Sequence, residues 1–230
     1  MAPDWAFALH NFPGAPLGHC WLKPGAMNCA SVGLRITLTG RTSHASEPEK
    51  GLSPGLALSR LIPALMALGP GGDLTPEFRL VTVTHARLGE PAAGISPGHG
   101  EVWATLRTLT DGPMAALRDA AAALARAEAD GLDLALSWQD EFAACTNDPE
   151  ATAHLAAAIR GLGMPLAEGT LPMRASEDFG RFGAAARSAM VCLGAGEAHP
   201  PLHAPDYDFP DALIGPGVRI FSRLVDDLLG

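Results

Sequence analysis

Eight histidines, His10, His19, His44, His85, His99, His154, His199 and His203, are the side chains of this sequence best suited to chemistry near neutral pH. No two of them fall in a His-Glu-x-x-His pattern, and there is no phosphate-binding loop, dinucleotide glycine motif or Gly-x-Ser-x-Gly elbow, so spacing alone names no reaction. His10 closes the apolar run Trp5 to Leu9. His203 lies in Pro200-Pro201-Leu202-His203-Ala204-Pro205, after the apolar run Ala189 to Leu193. Both follow expected strands, and the ends of strands are where α/β sheets keep their sites. Imidazole binds zinc, but a catalytic zinc takes about three protein ligands and a water. The pair therefore belongs to a larger ligand set, or consists of loop histidines bonded to backbone carbonyls. His44 sits in the small-residue loop Gly40-Arg41-Thr42-Ser43-His44-Ala45-Ser46, where its ring either reaches a ligand or faces solvent. Arg107, beside Trp103, offers a planar fork for a carboxylate or is an ordinary surface arginine. Glu177 and Asp178 are either general bases or the acidic first turn of a helix.

The elements that must position these residues follow from periodicity. Trp5 to Leu9 reads as a strand that empties into a turn-rich loop containing Pro13, Gly14, Pro16 and Gly18. Leu34, Ile36 and Leu38 alternate with Arg35, Thr37 and Thr39, the period of a half-buried strand. Leu58, Leu61, Ile62, Leu65 and Leu68 recur at helical spacing, with Pro63 the awkward residue. Phe78 to Ala86 and Glu101 to Leu109 read as strands, the second with Val102, Ala104 and Leu106 on one face and Trp103, Thr105 and Arg107 on the other. Met114, Leu117, Ala121, Leu124 and Ala125 form the stripe of an amphipathic helix ending near Gly131, and Leu132 to Trp138 alternates once more. From Ser31 to Gln139 the order is strand, helix, strand, strand, helix, strand. That is the ferredoxin-like βαββαβ order, a sheet with two helices on one face. Beyond Glu141 come a helix opened by Asp148-Pro149, the acidic turn at Ser176, the strand Ala189 to Leu193 and a final helix carrying Ile220, Leu224 and Leu228. The reading is an α/β protein in which residues 31–140 form an inserted βαββαβ domain, and residues 1–30 with 141–230 form part of a discontinuous α/β domain.

Composition limits the partners. The 230 residues carry 16 Lys+Arg against 25 Asp+Glu, a net charge of −9, which excludes a concentrated basic surface for nucleic acid. At 47% hydrophobic and 18% charged the chain has the material for a core. No apolar stretch approaches the ~18 residues of a membrane helix, and the N-terminus lacks the basic start of a signal peptide, so a cytoplasmic location is expected. Cys20, Cys29, Cys145 and Cys192 lie far apart without a Cys-x-x-Cys pair and read as free thiols.

Several segments together resemble one family. Asp4-Trp5-Ala6-Phe7-Ala8-Leu9-His10-Asn11 with Pro13-Gly14, then Gly25-Ala26-Met27 and Gly40-Arg41-Thr42-Ser43-His44-Ala45, are similar to the M20-type metallopeptidases, in particular the amidohydrolase branch acting on N-acyl amino acids, hippurate and auxin conjugates. Thr105-Leu106-Arg107, Ser176-Glu177-Asp178-Phe179 and Leu193-Gly194-Ala195-Gly196 leading to Leu202-His203 and Tyr207-Asp208-Phe209 follow in the same order. The resemblance implies that His10 and His203 are ligands of a two-metal centre, with zinc, manganese or cobalt as the ion. It implies that His44 reaches substrate in the neighbouring subunit's site, that Arg107 holds the substrate carboxylate, and that the βαββαβ domain is a lid through which the chain forms a homodimer.

Two departures accompany it. Where the family places an asparagine, thirteen residues before the lid arginine, this chain has Gly94, ahead of Ile95-Ser96-Pro97. The part of the family pattern that supplies a Cys-x-His ligand pair and a Glu-Glu pair, with one glutamate a ligand and the other the general base, is not matched. The expectation is a metal-dependent amidohydrolase with an incomplete site and no matched base: a fragment, one half of a split enzyme with a separately encoded N-terminal half, or a remnant serving as a non-catalytic dimerisation module.

Overall fold

The apolar run that starts the chain does form a strand, β1 (Trp5–Pro13), which continues past its expected end at His10. This computed structural model describes residues 3–230. The turn-rich segment after β1, expected to be loop, holds two further short strands, β2 (Cys20–Trp21) and β3 (Gly25–Asn28). Both are too short to leave a period in the sequence, and Gly14, Gly18 and Gly25 take up the positive φ values that the tight reversals between them require.

The alternation beginning near Ser31 becomes β4 (Ala30–Thr39), with Val32, Leu34, Ile36 and Leu38 essentially without exposure. Next come β5 (Ser43–His44), α1 (Gly55–Ala67), β6 (Arg79–Leu88), β7 (Ile95–Ser96), β8 (His99–Thr108), α2 (Gly112–Glu128) and β9 (Asp133–Phe142). Pro63 lies inside α1 without ending it. It sits on the exposed side of the helix, where water can take up the carbonyl that loses its partner. The four long strands form one antiparallel sheet in the order β6-β8-β4-β9, the ferredoxin-like arrangement. Val102, Ala104 and Leu106 of β8 are buried with Leu58, Leu61, Leu65, Leu117 and Ala121 of the helices. On the opposite face, Glu101 accepts hydrogen bonds from Arg35 and from Trp103 Nε1 (3.1 Å). The Trp103 bond and then the Arg35 cation hold its carboxyl below the ordinary carboxylate range.

The chain then continues with β10 (Cys145–Asn147), α3 (Pro149–Gly161), β11 (Leu166–Ala167), β12 (Arg187–Gly196) and α4 (Ile214–Leu229). These pack with the first segment into a unit of their own, so the described chain divides into Cys29–Ala143 and the remainder, residues up to Asn28 together with Ala144–Gly230. The second unit is built on a sheet of order β1-β12-β2-β11, in which β1 and β12 run parallel. Its strand β12 is buried from Ser188 to Ala195. One sheet face carries Leu155, Ile159, Ile220 and Leu224 of α3 and α4 against Val191 and Leu193, with Trp5, Phe7 and Leu9 packed on them. The other carries Met27, Cys145, Phe179, Met190 and Cys192, with Ala6, Ala8 and Phe12 against them. None of the four cysteines is joined in a disulfide, as their spacing implied, and all four are buried.

Candidate functional site at the end of β1

Alternation along β1 decides which way its histidine points. Trp5, Phe7 and Leu9 face α3 and α4, so His10 shares the opposite face with Ala6, Ala8 and Phe12. Its Nδ1 lies 2.6 Å from the carbonyl oxygen of Asn11. A carbonyl only accepts, so Nδ1 carries the proton and Nε2 of the neutral ring presents a lone pair. That Nε2 is 3.3 Å from Glu177 Oε2, the two side chains being 27% and 25% exposed. Two acceptors thus face each other, a contact satisfied by a shared proton or by a cation between them.

Glu177 combines the two roles its sequence left open. It caps a short 3-10 helix, Asp178–Ala184, with Oε1 accepting the Asp178 N–H at 2.9 Å, and this leaves Oε2 for His10. Phe179, two residues on, is buried in the core behind it and anchors the turn. The thiols of Cys145 and Cys192 are pushed up to about 12, first by burial and further by the Glu177 charge. Thiols raised this far keep their protons at neutral pH.

The loop that carries His203 is tied to the same strand end from the other face. Asn11 Nδ2 donates to the Tyr207 hydroxyl at 2.5 Å, the Tyr207 ring stands edge-on to His199 at 5.5 Å, and His199 Nε2 donates to the Asp208 carbonyl at 2.8 Å. His203 itself is exposed and has φ +68, a left-handed conformation uncommon for a side chain other than glycine. Among the described residues no group of three or more His, Cys, Asp or Glu is gathered closely enough to hold a metal ion. The donor set this unit presents is the two-membered pair of His10 and Glu177.

The remaining site candidates lie in the Cys29–Ala143 unit. His44 Nδ1 accepts the backbone N–H of Ser46 at 3.1 Å and lies 2.7 Å from the Ser46 hydroxyl. A backbone N–H only donates, so in the neutral ring the proton sits on the exposed Nε2, leaving His44 a hydrogen-bond donor toward solvent. Gly94 is its neighbour, the Gly94 carbonyl accepting the Ala45 N–H at 3.0 Å. A Cβ at Gly94 would meet nothing within 4 Å, so the position has room for a side chain that the sequence does not supply. Arg107 is half-buried in a cleft of about 330 Å³ lined by Ser31, Thr84, Trp103, Thr105 and Gln139. Burial lowers its guanidinium pKa, and the neighbouring Cys29 opposes the shift.

Comparison with known proteins accounts for this layout. Residues 1–227 match the peptidase family M20/M25/M40. The chain belongs to that family. Its similarity to the hippurate hydrolase of Campylobacter jejuni is 27% identity over 225 residues, covering 96% of this chain and 58% of the relative. To the N-acetyldiaminopimelate deacetylase of Lactobacillus acidophilus it is 22% over 232 residues, covering 99% and 60%. A Bacillus subtilis dinuclear metal-binding peptidase of the M20 family superposes with a TM-score of 0.74 at 19% identity, over 98% of this chain and 57% of that one. An aminobenzoyl-glutamate utilization protein from Klebsiella pneumoniae does so with a TM-score of 0.76 at 16%, over 96% and 54%. This M20 chain spans about three fifths of the length of the curated relatives it matches.

Proposed function

We propose that this chain is the lid-bearing portion of a metal-dependent M20 amidohydrolase that cleaves the amide bond of N-acyl amino acids. The observation that carries the reading is the apposition of His10 Nε2 and Glu177 Oε2 at 3.3 Å. Ligands about 2.0–2.1 Å from a tetrahedral zinc stand roughly 3.3–3.4 Å apart, so the pair fits two corners of one coordination sphere. A divalent metal held there, zinc by donor type with manganese and cobalt as alternatives, would polarise the scissile carbonyl and acidify a bound water. His203, in the loop anchored by Tyr207 to the residue after His10, is a ligand of the same two-metal centre, although its ring is not gathered with the His10–Glu177 pair in this structure. The general base and the other ligands belong to the part of the family's length that the chain does not match.

The lid residues bind and orient the small-molecule substrate. The exposed Nε2–H of His44 donates to the acyl oxygen, and the Arg107 fork, made less solvated by its cleft, pairs with the substrate carboxylate. The chain works as a homodimer joined through the lid unit. The reading of an interface at the β6 edge is supported by the exposed apolar side chains of that unit, Leu56 and Met66 on α1 and Leu88 at the end of β6. On β9, the other edge strand, Arg118 of α2 stacks 4.5 Å over Trp138 and pairs with Glu141. No described helix is long and apolar enough to cross a membrane.

Zinc titration of the 230-residue chain against a chromophoric chelator tests the reading. Weak binding is expected, lost in His10→Ala and in Glu177→Gln, with no turnover of hippurate or N-acetyl amino acids by the chain alone. Binding unchanged in both variants would remove the proposed site. A chain that dimerises but binds no metal would instead be the non-catalytic dimerisation module.

A further inference from the structure

The open face of the β6-β8-β4-β9 sheet holds one ring clamped from three sides. A residue on a sheet face has four neighbours, two along its own strand and two across it. Behind Trp103 of β8 is Glu101, which accepts the indole Nε1–H at 3.1 Å and is itself paired with Arg35 at 2.8 Å. Across from it stand Arg35 and His85, the Arg35 guanidinium 5.1 Å from the ring centroid and the His85 ring edge-on at 5.7 Å. Ahead is Thr105, and that side opens on the cleft of about 330 Å³ that Trp103 shares with Arg107.

The cleft is a gap left by small residues. Thr105 pairs with Thr82 on one side and Gly33 on the other, and Gly33 pairs in turn with Gln139. A Cβ on Gly33 would stand 3.0 Å from Gln139 Cγ, so Gln139 leans over the place where a side chain would rise. The row between Trp103 and Arg107 is therefore low, and its two walls are about 13 Å apart along β8. Among the described residues, both register shifts of this sheet border that row, one at Thr84 in β6 and one at Asp140 in β9, which takes φ +50. Bulges re-aim side chains beside binding sites, and here Thr84 and Asp140 both line the cleft. Its volume is that of a small-molecule cleft, about 300–1,000 Å³, and exceeds what one carboxylate fills.

We propose that Trp103 is a specificity-determining residue: the trough between it and Arg107 receives the side chain of the substrate's amino-acid moiety and selects a neutral aromatic one. Because Nε1 points back at Glu101, the indole turns a C–H edge toward Thr105. The positive edge of one ring packs on the face of another. The cation beside Trp103, Arg35, is already paired with Glu101, and Asp140 adds an acid to the cleft, so a second carboxylate, as in a glutamate conjugate, meets like charge. A glycine conjugate leaves the trough empty. The inference rests on the reading of Arg107 as the holder of the substrate carboxylate, and it needs neither metal nor turnover.

NMR of the full 230-residue chain tests it through the indole N–H signals of Trp5, Trp21, Trp103 and Trp138, that of Trp103 being identified by its loss in Trp103→Phe. N-acetylphenylalanine is expected to shift the Trp103 signal and to bind about ten-fold more tightly than N-acetylglycine, with N-acetylglutamate no tighter than N-acetylglycine. The preference should vanish in Trp103→Ala and in Thr105→Tyr, which fills the trough from a strand position that tolerates an aromatic residue. Equal binding of the phenylalanine and glycine compounds overturns the proposal, as does N-acetylglutamate binding as tightly as N-acetylphenylalanine, or a preference that survives Thr105→Tyr. So does a Trp103 shift produced by N-benzoylglycine and not by N-acetylphenylalanine, which would make the trough the acyl pocket. N-acetylphenylalaninamide separates the two readings: if it binds as tightly as the acid, Arg107 does not hold the carboxylate, and the trough stands on the ring preference alone.

Discussion

Replacing Asn147 should destabilise the β1-β12 unit more than any other exchange of one small polar side chain. Asn147 is 1% exposed, at the end of β10. Its Oδ1 accepts the Met190 N–H at 2.8 Å, and its Nδ2 donates to the carbonyls of Met190 (2.9 Å) and Lys23 (3.0 Å). The side-chain amide thus does for Met190 what a neighbouring strand's peptide group would do, on the stretch of β12 before β2 pairs with it at Cys192 and Leu193. Asn147→Ala removes three hydrogen bonds, each contributing about 1 kcal/mol, and strands a buried N–H whose desolvation costs about 1–3 kcal/mol. The expected loss is about 4–6 kcal/mol, a large share of a stability of roughly 5–15 kcal/mol. For a unit of this size that lowers its melting temperature by about 15–25 °C. Urea unfolding read by amide exchange along Met190 to Leu193 measures it locally, while amides of β4 and β8 serve as the internal control. A loss under 1 kcal/mol, or unchanged protection at Met190, would refute the view that one side chain completes the sheet here.

Other outcomes follow from the same geometry. The thiols of Cys20, Cys145 and Cys192, raised by burial to about 11, 12 and 12, should not react with a disulfide reagent at pH 8 until the chain unfolds. Because the folded thiols keep their protons where the unfolded ones, near 8.5, release theirs, stability should be full below about pH 8 and fall as pH rises toward 12, measurable by thermal melts across that range. Residues 29–143 expressed alone should fold and sediment as a dimer at tens of micromolar, and Leu56→Asp should make that dimer monomeric without unfolding it; a monomeric wild-type segment would remove the assigned interface. In a turnover-competent complex, His44→Ala should cut kcat at least a hundred-fold with metal content unchanged, and mixing it with a His203→Ala variant should restore part of the activity if each site borrows its lid histidine from the partner.

What sequence makes legible here is what repeats or caps locally. The alternation of Leu34, Ile36 and Leu38 against Arg35 and Thr37 locates β4, and the same rule places Arg107 and Trp103 on the open face of β8. Asp148-Pro149 announces α3 because the carboxylate accepts the N–H groups of Glu150 (2.9 Å) and Ala151 (3.0 Å), a contact two and three residues long. The two-residue strands β2, β5, β7 and β11 have no period to read, and they exist because a neighbour holds them.

The same limit explains which parts of the site stayed hidden. His10 and Glu177 are separated by most of the chain, and nothing within either segment says that the second oxygen of a capping carboxylate will meet the lone pair of an imidazole. The motif around Glu177 was a signal that the residue mattered, but capping alone would satisfy it. Only the register of β1 on β12, His10 opposite Cys192, sets the ring over the face where Phe179 anchors the Glu177 turn. Register is also what makes β1 informative in the other direction. Every residue of β1 is half-buried beside a β12 buried from Ser188 to Ala195, as suits a strand with one strand neighbour among the described residues, and Pro13 with the register shift at Phe12/Pro13 ends its regular pairing just beyond His10.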